Sequence, residues 1–433
     1  VSTDTRTLQP GNLYVALRGE RFDGHQFLMA ALDAGAVAAI VDTPDAQVAL
    51  PQIQVADTLR ALGTLASANR NESSARFLAV TGSSGKTTVK EMMAAMVAGA
   101  GKTLSTRGNL NNHIGVPLTL FGIGPEHRYG VIELGASGVG EIAVTVAMVR
   151  PRVAVITNAG EAHLEGFGSY DNIVLAKGEI IDGVDADGFV VLNADDPAFD
   201  RWKVRAGQRQ VISISLDASA GADYACVAVT MKDGQQLLTV AGPGGWQCEL
   251  ALPLLGRHNI TNALLAVAAV RSEGLSDDLV QQGLAGLQPI PGRLQAVVLQ
   301  PGLTLIDDSY NANPSAMKAA LEVLADFPGE RVAVLGAMAE LGVEAERLHE
   351  DVGEFARKLG IERLVTVGPG CQGYRTGYGA GAEAFADHDQ AIDRLTHQPS
   401  APLTWLVKGS RSSAMDVVAE GIKQRIKSTC CSG

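Results

Sequence analysis

The run Gly82-Ser83-Ser84-Gly85-Lys86-Thr87-Thr88 follows an apolar stretch ending in Ala79-Val80-Thr81 and opens a segment with helical periodicity. Glycines there let backbone N–H groups approach a phosphate closely, and a helix start adds a favourable dipole. In that setting Lys86 would reach the β- and γ-phosphates of a nucleotide and the Thr87 hydroxyl would hold Mg²⁺. The general phosphate-loop pattern has glycine where Val80 stands, so this is a short GxxGK[ST] form. The competing reading is a strand–turn–helix with chance glycines. ATP is the expected ligand.

Other residues could join that chemistry. Glu133 closes the apolar run Val131-Ile132-Glu133. A carboxylate at the carboxyl end of a parallel strand can hold Mg²⁺ beside such a loop, although a solvated strand-end glutamate is the plainer reading. His163 lies just past the next strand candidate, and because Mg²⁺ prefers oxygen it reads by itself as structural. Lys177 reads by itself as an exposed helix lysine. Asn259 and Asn262, three apart on one helix face, could read an adenine edge, or Asn259 could cap the helix. Arg293 follows Pro291-Gly292 at a domain joint, where an arginine reaches transferred phosphate charge only when domains close. Asp308, in Asp307-Asp308-Ser309-Tyr310-Asn311-Ala312-Asn313-Pro314, could accept from ribose hydroxyls or simply belong to a turn.

Elements must place these residues. A chain of 433 residues at roughly 100–200 per domain holds two to four domains. Its 49 glycines and 5% aromatic share fit the many tight turns of α/β sheets. Residues 1–74 read as a small α/β unit, with strands at 13–17 and 37–41, helices at 25–34 and 59–70, and a polar linker at 71–74. Across 75–290, strands at 77–81, 129–134 and 153–157 alternate with helices at 87–98 and 140–149, which implies a parallel sheet covered by helices. Residues 211–252 read as antiparallel ribbon around 237–240, and 258–273 as helix. Residues 291–433 hold strands at 303–306, 332–335, 364–367 and 404–407, enough for a second doubly wound domain. Pro289-Ile290-Pro291-Gly292 is the joint.

Net charge is −12 with a pI near 5.2 and no Lys/Arg run, so no nucleic-acid partner is expected. No apolar run approaches the ~18 residues of a membrane helix, so no membrane insertion is expected. Five scattered cysteines without a CxxC pair suit a reducing compartment, and with no signal peptide visible a cytoplasmic location is expected.

In order, along essentially the whole chain, these segments resemble the Mur ligases, the ATP-dependent amide ligases of peptidoglycan synthesis. Thr5-Arg6 with Gly11, Tyr14-Val15-Ala16-Leu17 and Gly19-Glu20-Arg21-Phe22-Asp23-Gly24-His25 look like the family's uridine-nucleotide domain. The first strand and helix of that domain are expected to be missing, leaving a truncated N-terminus. Gly108-Asn109-Leu110-Asn111-Asn112-His113-Ile114-Gly115-Val116-Pro117 is similar to the substrate loop. Leu335–Gly342 with His349, and Lys408-Gly409-Ser410-Arg411-Ser412, resemble the C-terminal signatures. The 308–314 run points, within the family, to members that add D-alanyl-D-alanine.

The resemblance implies an α/β chain of three domains. They are a UDP-substrate domain over 1–74, a central P-loop parallel-sheet ATPase domain over 75–290 and a Rossmann-like ligase domain over 291–433. It implies that Gly82 to Thr88 cradle ATP and that Thr87, Glu133, His163 and Lys177 surround two Mg²⁺ ions. Lys177 would carry a carbamate formed with CO₂. Only a neutral amine attacks CO₂, so burial near cations must first lower its pKa. Asn259 and Asn262 would bind adenine, Asp308 the ribose and Arg293 the phosphates. Thr5, Arg6, Asp23, Asn109, Asn111, Asn112, Tyr310, Asn311, Asn313, Lys408, Ser410 and Arg411 would contact the other substrates.

The implied reaction has two steps. The carboxylate of UDP-N-acetylmuramoyl-tripeptide attacks the γ-phosphate of ATP, giving an acyl phosphate and ADP. The amine of D-alanyl-D-alanine then displaces phosphate. Lys86, Glu133, His163, Lys177 and Arg293 are the expected catalytic set, in a monomer. Two positions depart from the pattern: Ala337 and His113 stand where acidic residues are frequent. The alternatives are a folylpolyglutamate-type ligase, against which residues 1–70 argue, a nucleotide switch that makes no bond, and a kinase.

Overall fold

The computed structural model describes residues 1–19, 22–160, 164–232, 235–288 and 290–429. Three sheets follow one another along the chain. The first is parallel, in the order Leu13–Val15, Ala38–Val41, Gln52–Gln54. The stretch expected as one helix at 25–34 divides into a 3-10 turn, Gly24–Phe27, and a short α-helix, Leu28–Asp33. The Asp23 carboxylate starts the turn by accepting from the His25 N–H. The longer helix Thr58–Asn71 buries Leu62 against Val15, Leu17 and Ile40.

The second sheet has nine strands. Its parallel part runs Gln210–Ser215, Phe189–Asn193, Val153–Ile156, Arg76–Thr81, Tyr129–Glu133, Thr103–Ser105. Such a sheet is buried on both faces, which is why its strands read as unbroken apolar runs. In Arg76–Thr81, Leu78 and Val80 face the helices Lys86–Ala98 and Arg257–Ser272, while Phe77 and Ala79 face Glu141–Val149 and Tyr170–Asp182. Residues 211–215 are a parallel strand, not the ribbon expected over 211–252, and Tyr224–Lys232 joins that strand in parallel. Gln235–Ala241 and Gln247–Leu252 then extend the sheet by antiparallel pairing, as the alternating pattern predicts.

The third sheet orders Gln295–Gln300, Leu303–Asp308, Leu403–Lys408, Glu330–Gly336, Arg363–Val367, Glu383–Phe385. All pairs are parallel except the first, an edge strand. Leu303–Asp308 runs two residues beyond the expected 303–306. Asp307 and Asp308 therefore belong to the sheet, in register with Val407 and Lys408, and are not turn residues.

Candidate active site

The central strand Arg76–Thr81 delivers the glycine-rich loop at its carboxyl end, between the ends of Tyr129–Glu133 and Val153–Ile156. Gly82 and Gly85 have φ of +147° and +80°. A methyl at Gly82 would lie 1.9 Å from the Thr157 hydroxyl, and one at Gly85 would lie 2.6 Å from Asn262 Oδ1. The neighbouring strand pins the loop: Thr157 Oγ1 donates to Ser84 O at 2.6 Å, and the Asn158 amide oxygen accepts from Ser84 N–H at 3.0 Å. Ser83 Oγ and Gly160 N–H meet at 2.9 Å. The buried Asp196 carboxylate holds that segment in turn, accepting from Ala159 N–H at 2.9 Å.

Lys86 donates to Gly82 O at 2.7 Å. Burial in the concave wall holds its pKa below the ordinary lysine range; Arg293 acts the same way and Glu133 opposes. Glu133 is 2% exposed. Its Oε1 accepts from Asn111 Nδ2 at 2.7 Å, while Oε2 is buried with no hydrogen-bond partner. A buried carboxylate oxygen without a donor is costly unless a cation meets it. Thr87 lies on the same cavity wall. One carboxylate and one hydroxyl beside a phosphate site is a donor set that Mg²⁺ accepts, since it completes its shell with phosphate and water.

Lys177 is 1% exposed, not the surface lysine its sequence reading gives. Its amine lies 4.8 Å from the centre of the Phe167 ring and 3.4 Å from Ala136 O. Burial first, then the charge of Lys86, brings its pKa down to about 7. That meets the condition for a lysine able to react with CO₂.

The third sheet closes the cavity, of about 680 Å³. Arg293 Nη2 donates to Thr87 Oγ1 at 3.0 Å, and its guanidinium lies 4.5 Å from the centre of the Tyr310 ring. Asp308 is buried and engaged on both sides, accepting from Lys408 Nζ at 2.6 Å and Leu294 N–H at 3.0 Å. Lys408 also donates to Asn311 O at 2.9 Å. Asn259 and Asn262 line the cavity and bond to each other at 3.1 Å. His258 lies beside them, held neutral by burial and by Lys408, with its pKa brought down to about 4.

The cavity thus gathers Ser83 to Thr88, Asn109, Asn111, Asn112, Glu133, Asn259, Asn262, Arg293, Asp308, Tyr310, Asn311, Asn313 and Lys408. It does not gather Gly82, Lys177, Thr5, Arg6 and Asp23, nor Ser410 and Arg411; Lys177 is buried behind the wall, beside Phe167 and Ala136. Arg6 pairs with Asp4 and Arg411 with Asp416 at the surface. Glu20, Arg21, Pro289 and His163 lie outside the described residues. Thr157, Asn158 and Asp196 carry loop-holding roles the sequence reading did not assign. A hydroxyl and an amide just past the strand next to the phosphate loop is the signal that could have found the first two.

Asn313 has a second duty. Its Oδ1 accepts from Ala316 N–H at 2.9 Å and caps the helix Pro314–Ala325. Asn313→Ala is expected to cost about 1 kcal/mol in denaturant unfolding. Asn313→Asp should hold stability, so any activity it loses reports ligand contact and not the cap.

Family models match three stretches: the Mur ligase family catalytic domain over residues 1–70, the Mur ligase middle domain over 80–270 and the Mur ligase glutamate ligase domain over 292–411. The chain is 46% identical over 426 residues to the UDP-N-acetylmuramoyl-tripeptide–D-alanyl-D-alanine ligase of Escherichia coli K12, covering 98% of this chain and 93% of that protein. The crystal structure of MurF from Acinetobacter baumannii superposes with a TM-score of 0.92 at 35% identity, over 98% of this chain and 93% of that one. MurF ligase from Thermotoga maritima, solved in complex with ADP, gives 0.90 at 27% identity, over 99% and 98%.

Proposed function

The chain belongs to the Mur ligase family, and from that premise we infer that it joins D-alanyl-D-alanine to UDP-N-acetylmuramoyl-tripeptide with ATP, in peptidoglycan precursor synthesis. The observation that carries this reading is the single cavity shared by the phosphate loop and the third sheet, bridged by Arg293 and Thr87. A kinase needs one acceptor beside ATP. A ligase needs ATP, a carboxylate and an amine in one water-poor space, and two facing units supply it. The match over residues 1–70 weighs against a folylpolyglutamate-type ligase.

The roles we assign rest on the family resemblance and, for the residues that line it, on the cavity. Backbone N–H groups of Ser83 to Thr88 and the Lys86 amine receive the β- and γ-phosphates. Asn259 and Asn262 take the adenine and Asp308 the ribose side. Thr87 and Glu133, with His163 and a carbamylated Lys177, would hold two Mg²⁺ ions, whose contribution would be to neutralise phosphate charge. The orphaned Glu133 oxygen and the lowered pKa of Lys177 support that assignment. Arg293 meets the charge that develops on the transferred phosphoryl group, and positioning with charge neutralisation is most of what this step requires. Thr5, Arg6 and Asp23 take the uridine end. Asn109, Asn111, Asn112, Tyr310, Asn311, Asn313, Lys408, Ser410 and Arg411 face the peptide partners. The three sheets support domain boundaries at 1–74, 75–290 and 291–433. Among the described residues no helix is long and apolar enough to cross a membrane, and a cytoplasmic monomer fits a site completed within one chain.

The test is phosphate release with ATP, Mg²⁺ and UDP-N-acetylmuramoyl-tripeptide, with and without D-alanyl-D-alanine. Dependence on both, with a UDP-pentapeptide by mass, is expected. Turnover indifferent to the dipeptide would overturn the reading.

A further inference from the structure

Lys90 lies one turn beyond Lys86 on the helix Lys86–Ala98 and is 1% exposed. Its amine donates to Thr106 O at 2.9 Å and pairs with Glu91, whose side chain reaches the surface. The chemistry above makes no use of this lysine.

Thr106 is held on three sides. Its N–H donates to Val131 O at 3.1 Å, its hydroxyl oxygen accepts from Glu133 N–H at 2.9 Å, and its carbonyl accepts from Lys90. It follows the strand Thr103–Ser105 and leads into the loop 107–112. At the far end of that loop Asn111 Nδ2 donates to Glu133 Oε1 at 2.7 Å, and Asn111 O accepts from Gly135 N–H at 2.8 Å. The loop is therefore fastened to Glu133 at both ends, by Thr106 and by Asn111. Its first fastening is tied to the phosphate-loop helix by Lys90.

Burying a long cationic side chain costs desolvation and rotamer freedom that pairing with the partly exposed Glu91 of the same helix offsets only in part, and an apolar side chain of similar volume would fill the space. What the amine adds is one directed bond between two elements that must keep register. We propose that Lys90 is a positioning residue of the ligase site: through Thr106 it sets the loop 107–112 and Glu133 against the helix that carries Lys86 and Thr87. This rests on the ligase reading above.

Lys90→Met removes the donor and keeps the stem. Thr106→Val removes the hydroxyl that takes the Glu133 N–H, and Thr106→Ser keeps it. Lys90→Met and Thr106→Val are each expected to lower kcat about 10- to 100-fold, the scale of a small misplacement at a reacting centre. ADP affinity should stay within about threefold, because the phosphate loop has its own anchors at Thr157 and Asn158. The double variant should be no slower than the slower single variant. Amide hydrogen exchange over 103–112 should speed up while that over 86–98 does not, and Thr106→Ser should keep the parent rate. Unchanged exchange over 103–112, kcat within about twofold of the parent, or single effects that multiply in the double variant would each overturn the proposal. Should Lys90→Met fail to fold, the Thr106→Val and Thr106→Ser pair decides by the same criteria. Exchange and ADP binding need no turnover, so they decide the tie even if the parent chain fails to ligate, and the two readings fail separately.

Discussion

Arg293→Ala is expected to lower kcat on the order of 10³-fold while leaving ADP affinity within a few-fold. The arginine enters the phosphate loop from the far side of the domain joint, and its bond to Thr87 spans the two units. Its charge therefore matters most where charge develops on the transferred phosphoryl group and least in the bound product nucleotide. Arg293→Lys should recover only part of the loss. An ammonium reproduces the charge but neither the planar fork nor the stack on Tyr310. Single-turnover acyl-phosphate formation, trapped with hydroxylamine, is the measurement. A loss below about tenfold would place the arginine outside the transfer step.

The second large effect is at Lys177. Lys177→Met is expected to lower kcat at least ~10²-fold, the scale of losing one preorganised electrostatic group. The parent should show a carbamate carbon signal with ¹³C-bicarbonate that the variant lacks. An active parent without that signal would remove the carbamate from the mechanism. The pH dependence has a definite sign. In CO₂-free buffer, where Lys177 is a free amine, burial brings it down to about 7 in the folded chain, against the ordinary lysine value of 10.5 in the unfolded one. Between those values the unfolded chain holds more protons, so this group makes folding more favourable as pH rises through the window. Below about 7 its penalty is fully present. Lys177→Met should remove that slope, at most ~1.4 kcal/mol per pH unit, from unfolding curves compared with the parent.

The fold was legible where strands are buried on both faces. The runs at 77–81, 129–134, 153–157, 332–335 and 404–407 each locate a strand to within a residue or two. Edges were not. Gln52–Gln54, Thr103–Ser105 and Glu383–Phe385 are three residues each, too short for a period to show. Gln295–Gln300 is partly exposed and polar at both ends. For the cavity, residue type and order were enough to nominate Lys86, Glu133 and Arg293. Environment was not readable from the same letters. On one helix Leu175 is exposed while Lys177 and Glu179 are buried. Glu179 accepts from the N–H groups of Gly140 and Ala143 at the start of the next helix over. Hydropathy alone would assign the reverse. Likewise the turn-forming letters around Asp308 hid its pairing with Lys408, a partner 100 residues away.

The packing of the phosphate-loop helix also sets a clock for synthesis. Val89, Met92, Met93 and Met96 share their core with Ile260, Leu264 and Val267 of Arg257–Ser272. That helix leaves the ribosome about 170 residues later, which at ordinary elongation speeds is on the order of ten seconds or more. Until then one side of the loop's helix has no permanent neighbour. The nascent chain spends that interval with a methionine-rich apolar stripe uncovered, and it is in this interval that a chaperone has most to shield.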